Sequence, residues 1–170
     1  FSLLRSVIPG DFTPGTQTEP LKLEKPAVQI IPLICFEDTV GRLARRFVRE
    51  APQMIINITN DGWFLQSEQM EVHQVNAKFR AIELRRPMVR ATNAGVTCFI
   101  DTLGTVVNQL SDPQPGSSLL EGCLPGEVQV PATPEMTLYA RWGDWFALLC
   151  LSLCGLMILT RRFIAPPCQP

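Results

Sequence analysis

Ala27-Val-Gln-Ile-Ile-Pro-Leu-Ile-Cys35 is an almost unbroken apolar run, and it sets the reading of everything around it. A short apolar run without polar alternation fits a strand covered on both faces, with Pro32 as its one interruption. Asp38 then stands where a helix cap is expected. Val40, Leu43, Ala44, Phe47 and Val48 fall on one helical face, Arg42, Arg45, Arg46 and Arg49 lie mostly elsewhere, and Pro52 forbids continuation. Met54-Ile-Ile-Asn-Ile-Thr59 reads as a second buried strand. The turn-rich Asn60-Asp-Gly-Trp-Phe64 follows, then a helix from about Ser67 to Arg86, closed by Pro87. Val72, Val75, Phe79 and Ile82, spaced 3, 4 and 3, are expected to form its inward face. Short strands are expected at Met88–Ala91, Val96–Ile100 and Thr105–Leu110, with a last one near Gly126–Val130. Residues 1–26, punctuated by Pro and Gly, read as loop and turns. The order strand, helix, strand, helix, strands defines an α/β layered domain.

The chain has 170 residues, 46% hydrophobic and 18% charged, with formal net charge −1. A charged fraction below the usual ~25% points to buried or lipid-facing surface and excludes disorder and a polybasic nucleic-acid arm. Trp145 to Thr160 holds no charged residue. As a helix its 16 residues span ~24 Å against a hydrocarbon core of about 30 Å, so the flanks must close the gap. Trp142 and Trp145 supply interfacial aromatics, and Arg161 and Arg162 can snorkel. A transmembrane helix over 145–162 is expected. The basic pair puts the tail, 163–170, in the cytoplasm and the preceding domain on the outer side. The first residue is Phe, and no basic and apolar leader opens the chain, so it reads as a piece of something longer. Cys98 and Cys123 are read as ordinary thiols rather than a bridge.

Cys35 closes a buried strand just ahead of a helix start, where reactive groups gather in α/β sheets and a thiol gains thiolate character. From position alone it is either a nucleophile or one more apolar strand residue. Trp63 and Phe64 either line an apolar entrance or anchor a loop. His73, the one histidine, reads as a hydrogen-bonded scaffold residue rather than a base. Arg80, Glu83 and Arg90 are expected to pair within the domain, the alternative being headgroup contact. Asn60, Asp61, Asn93 and Gly95 are expected to shape turns. One His, with cysteines in no CxxC pair, makes no metal set, and no glycine-rich phosphate loop is present.

In order and spacing, Pro32-Leu-Ile-Cys35-Phe-Glu37, Ile58-Thr-Asn60-Asp-Gly-Trp63-Phe64, His73, Phe79-Arg80-Ala81-Ile82-Glu83-Leu84-Arg85-Arg86-Pro87 and Arg90-Ala91-Thr92-Asn93-Ala94-Gly95-Val96-Thr97 resemble the nitrilase-like domain of bacterial apolipoprotein N-acyltransferases. The resemblance covers about residues 10–165. It implies an α/β fold, an incomplete nitrilase-like α-β-β-α sandwich, followed by one C-terminal transmembrane helix. The implied organisation is a partial nitrilase-like domain at 1–135, a juxtamembrane linker at 136–144, the span at 145–162 and a cytoplasmic tail at 163–170. In that family a Glu is the general base, a Lys stabilises the oxyanion and a Cys is acylated. By motif Cys35 matches the nucleophile, Glu37 a supporting glutamate, and the backbone N–H of Phe36 an oxyanion donor; Trp63 and Phe64 are the substrate-binding candidates. Lys22, Lys25, Glu19 and Glu24 sit too close to Cys35 to match the base and lysine, which are expected upstream of this chain. Phe36 replaces a common tyrosine and Leu65 a common glycine.

The resemblance implies N-acylation of a diacylglyceryl-cysteine apolipoprotein from a phospholipid acyl donor through a Cys35 thioester, in the bacterial inner membrane with the domain in the periplasm. No cofactor, metal or nucleic acid is implied; membrane lipid is the further partner. The alternatives are a carbon–nitrogen hydrolase or amidase of the same superfamily and a non-catalytic membrane-anchored fragment. The 170 residues alone are expected to be inactive.

Overall fold

The computed structural model describes residues 15–64, 67–110 and 121–164. The two apolar runs form β2 (Val28–Ile34) and β3 (Gln53–Asn60), paired in parallel, and β4 (Met88–Asn93) adds a third parallel strand. β1 (Leu21–Leu23), where loop is expected from the prolines, pairs antiparallel with β2 instead. β5 (Cys98–Ile100) and β6 (Val106–Gln109) extend the other side antiparallel. The mixed sheet runs in sequence order, β1-β2-β3-β4-β5-β6. No regular strand forms at Gly126–Val130, so that expectation fails.

Helices α1 (Gly41–Arg46), α2 (Gln69–Leu84) and α3 (Leu138–Trp142) contribute to one apolar core with the sheet: Ile31, Leu33, Ile55, Met88 and Ile100 meet Ala44, Ala77, Ala81, Leu84 and Ala140. The α/β layering is therefore as expected. Two local readings are corrected. The helix predicted from Asp38 to Pro52 is a 3₁₀ turn, Cys35–Thr39, followed by the short α1, and Asp38 is buried inside that turn rather than capping a helix. The predicted inward face of α2 points outward, since Val72, Val75, Phe79 and Ile82 are exposed and Met70, His73, Ala77, Arg80, Ala81 and Leu84 are buried. The spacing was helical in both sets. The alanines of α2 join the apolar core, His73 is drawn inward by the buried carboxylates of Asp38 and Asp61, and Arg80 donates to the Asp38 carbonyl.

Residues 136–144 hold to the domain: the Thr137 hydroxyl donates to the Glu83 carbonyl, and the Arg45 guanidinium donates to the carbonyls of Ala140 (3.0 Å) and Arg141 (2.8 Å). Beyond them α4 (Trp145–Ile164) carries exposed apolar side chains around its circumference, among them Phe146, Leu148, Leu151, Leu153, Met157 and Ile158. Among the described residues, no helix is long and apolar enough to cross a membrane. The tail 165–170, Leu65 and residues 1–14 lie outside the described residues.

Candidate active site

The three parallel strands end close together, β2 two residues before β3 and β4. Ile34 pairs with Ile58 and Ile58 with Ala91, so the segments that follow β2, β3 and β4 share one rim at the carboxyl end of the sheet. That is where ligands bind in open α/β sheets. Cys35 is the first residue past β2 and is half-buried. Its backbone lies in the left-handed region, φ 51°, a conformation that costs a side-chain-bearing residue about 1–3 kcal/mol. The sharp turn breaks the strand's alternation at the thiol, and the chain enters the 3₁₀ turn. Among the described residues no side chain hydrogen-bonds to the Cys35 thiol, and the cysteine is free.

The neighbouring candidates have distinct roles. Glu37 turns back so that its carboxylate accepts from the backbone N–H of Ile34 at 2.8 Å, tying the turn to the strand end. The Phe36 ring, half-exposed, stacks on the His73 imidazole (centroids 4.6 Å apart, 13° between planes) and meets Phe64 edge-on at 5.7 Å. Trp63 is 84% exposed, so it is no buried anchor. With Ile34, Phe36 and Ile58 it leaves exposed apolar side chains along the same rim as the thiol.

Beneath Phe36 lies a closed ring of buried charges that the sequence did not reveal as a unit. His73 Nε2 is 2.8 Å from Asp38 Oδ1, and Nδ1 is 2.8 Å from Asp61 Oδ1. Arg90 bridges the same two carboxylates from the other side, Nη1 donating to Asp38 Oδ2 at 2.6 Å and Nη2 to Asp61 Oδ2 at 2.9 Å. All four side chains are essentially buried. Both ring nitrogens face carboxylate oxygens, so both must donate, which makes His73 an imidazolium and the ring of two cations and two anions neutral. Burial alone would lower the His73 pKa; the hydrogen bond and charge of Asp38, with the bond to Asp61, outweigh it and the repulsion of Arg90, raising it above 6.5. His73 is thus the scaffold residue expected, with no nitrogen left for base catalysis.

Arg80 pairs with Glu83 at 2.7 Å, as expected, and donates to the Asp38 carbonyl at 3.1 Å. Asp61, expected to shape a turn, is a buried node of the ring. Gly95 (φ 101°) lies against it so closely that an added Cβ would come within 2.7 Å of its carboxylate. Asn60 keeps a turn role, accepting from Gly62 N–H at 3.1 Å. Asn57, which bonds Arg90 from outside the ring and which the sequence reading missed, had one usable signal. Asn57 and Arg90 occupy inward positions of strands whose other inward residues, Ile55 and Met88, are apolar, and a buried polar residue there needs a partner. Cys98 is a buried free thiol whose pKa is raised by desolvation, and Cys123 is free.

The sequence matches the family described as carbon-nitrogen hydrolase. A family profile of that description matches residues 5–121, well over half of the chain, and the chain belongs to this family. Among curated proteins it is similar to the "Apolipoprotein N-acyltransferase" of Geobacter metallireducens, 38% identical over 143 residues, 84% of this chain and 26% of that protein. The protein of the same name from Bradyrhizobium diazoefficiens is 38% identical over 154 residues, 90% of this chain and 27% of that protein. The chain spans about a quarter of the length of these curated relatives. The crystal structure of carbon-nitrogen hydrolase from Helicobacter pylori G27 overlaps it in part, with TM-score 0.48 and 18% identity over 59% of this chain and 42% of that one.

Proposed function

We propose that this chain is the nucleophile-bearing part of an apolipoprotein N-acyltransferase. A general base takes the Cys35 thiol proton, the thiolate attacks the carbonyl carbon of a phospholipid ester, and the C–O bond breaks to leave the thioester and a lysophospholipid alcohol that receives that proton. The α-amine of a diacylglyceryl-cysteine apolipoprotein then attacks the thioester, forming the amide and returning the thiol. The observation that carries this reading is a cysteine held in a left-handed turn at the carboxyl rim of the parallel strands, beside exposed apolar residues that suit an acyl chain. The similarity to proteins named as N-acyltransferases supports it.

In this reading Glu37 is the supporting glutamate, through its hold on the strand end, and the Phe36 N–H is an oxyanion donor. Trp63 and Phe64 guide the acyl chain. The general base and oxyanion lysine come from outside these 170 residues. The apolar stretch of α4 is by itself short of a membrane crossing, and in this reading the interfacial Trp142 and Trp145 and the snorkelling Arg161 and Arg162 make up the length of an inner-membrane span over 145–162, with the basic pair toward the cytoplasm and the domain in the periplasm. The test is Cys35→Ser in the full-length protein. Expected is loss of the acyl-enzyme, trapped and weighed by mass spectrometry, with folding retained. An acyl group on Cys98 or Cys123, with Cys35→Ser still active, would overturn the assignment.

A further inference from the structure

We propose that Asn57 is a positioning residue for Cys35, clamping the carbonyl of the left-handed nucleophile residue from below while the buried ring of Asp38, His73, Asp61 and Arg90 holds Asn57 in place. The inference rests on the reading of Cys35 as nucleophile and adds the element that fixes its backbone. The Asn57 amide nitrogen donates to two carbonyls where β2 ends, Leu33 within the strand at 3.3 Å and Cys35 just past it at 3.1 Å. Its amide oxygen accepts from Arg90 Nη1 at 2.7 Å. One side chain therefore spans from the reactive turn to the charged ring, and its orientation is fixed, because Arg90 can only donate and the carbonyls can only accept.

The geometry follows from register. Leu33, Asn57 and Arg90 are directly paired across the three parallel strands, so Asn57 and Arg90 stand side by side on the helix-facing side of the sheet. Both are completely buried. The same Arg90 nitrogen bonds Asp38 at 2.6 Å, and Asp38 belongs to the turn that Cys35 opens. The turn is thus gripped at two points, at the Cys35 carbonyl by Asn57 and at the Asp38 carboxylate by Arg90 and His73. Arg90 Nε has no partner, but both Arg90 Nη atoms and both ends of the Asn57 amide are paired in this one arrangement, and a slip would leave those buried donors and acceptors unpaired. A left-handed residue without glycine persists only when its surroundings over-determine it, and these two grips supply that determination.

The experiment uses Asn57→Asp in the full-length protein, an isosteric change that turns the donor facing the two carbonyls into an acceptor. Expected is a kcat per folded molecule lower by about 10- to 100-fold, as for a small misplacement of a reacting group, with KM within about 3-fold of wild type. The rate of Cys35 alkylation by iodoacetamide, followed against pH, is expected to shift its midpoint. Asn57→Ser, which leaves room for a water between Arg90 and the carbonyls, carries the same expectation in milder form should Asn57→Asp fail to fold. Unchanged kcat per folded molecule and an unchanged alkylation profile, with only the melting temperature lowered, would overturn the proposal. Failure of the nucleophile reading shows separately as activity in Cys35→Ser, because Asn57→Asp leaves the thiol in place.

Discussion

At the residue scale, the decisive group is His73, for its protonation state follows from its neighbours rather than from its ordinary chemistry. Two carboxylates at 2.8 Å hold a proton on each ring nitrogen, and the Phe36 ring covers one face. Asp38, Asp61 and Arg90 face it directly, and Arg80 reaches the same turn through the Asp38 carbonyl. Its pKa in the folded protein is raised above the 6.5 of a free histidine. The sign of the pH dependence follows: folding binds a proton that the unfolded chain has begun to release, so this contribution is complete below pH 6.5 and is lost as pH rises through the higher folded value. The free energy of unfolding is therefore expected to fall as pH climbs from neutral into the alkaline range. His73→Gln, in parallel denaturant titrations, should flatten that slope. A wild-type histidine whose two ring nitrogens are not both protonated at neutral pH, read by nitrogen NMR, would contradict the ring described above.

At the scale of elements, α2 shows that a correct period does not choose a face. The apolar spacing of Val72, Val75, Phe79 and Ile82 is helical, yet the side that meets the sheet is built from alanines, Leu84 and two buried cations. Two substitutions separate the readings. Ala77→Leu adds volume where no space is accessible and is expected to cost about 1–3 kcal/mol by overpacking. Phe79→Ala trims a half-exposed ring and should cost less than the roughly 3–5 kcal/mol of a buried one. Denaturant midpoints of the two variants rank them, and the reverse order would mean that the outward stripe is the packed face. The strands were legible because β2 and β3 are apolar beyond what a turn or an exposed segment allows, and their ends placed Cys35 correctly. The charged ring was not legible as a unit, because Asp38, Asp61, His73 and Arg90 are separated by 23, 12 and 17 positions and lie on different elements that only the fold brings together. Asp38 read as a cap since an acidic residue at a helix start ordinarily is one. The inward phase of Asn57 and Arg90 was the available clue.

At the scale of the whole molecule, the proposed reaction asks for more than these residues assemble. A thiol must lose its proton and a tetrahedral oxyanion must be held, yet among the described residues nothing hydrogen-bonds the Cys35 thiol. The nearest acid in sequence, Glu37, is occupied by the Ile34 N–H. His73 has no free nitrogen, and both Nη atoms of Arg90 are taken by Asp38, Asp61 and Asn57. These charged groups are thus committed to shape, and in the proposed reaction the base and the oxyanion cation come from elsewhere. The 170 residues expressed alone are therefore expected to show no measurable N-acylation of a diacylglyceryl lipopeptide in phospholipid micelles. Loss of one oxyanion donor typically costs about 10²- to 10³-fold, and loss of the base a further ~10²- to 10⁴-fold, which together take turnover below detection. Iodoacetamide should still alkylate Cys35 in this chain, since the turn that presents it is built wholly from residues 33–90. Turnover near that of the full-length protein would show that the base and cation lie within these residues after all.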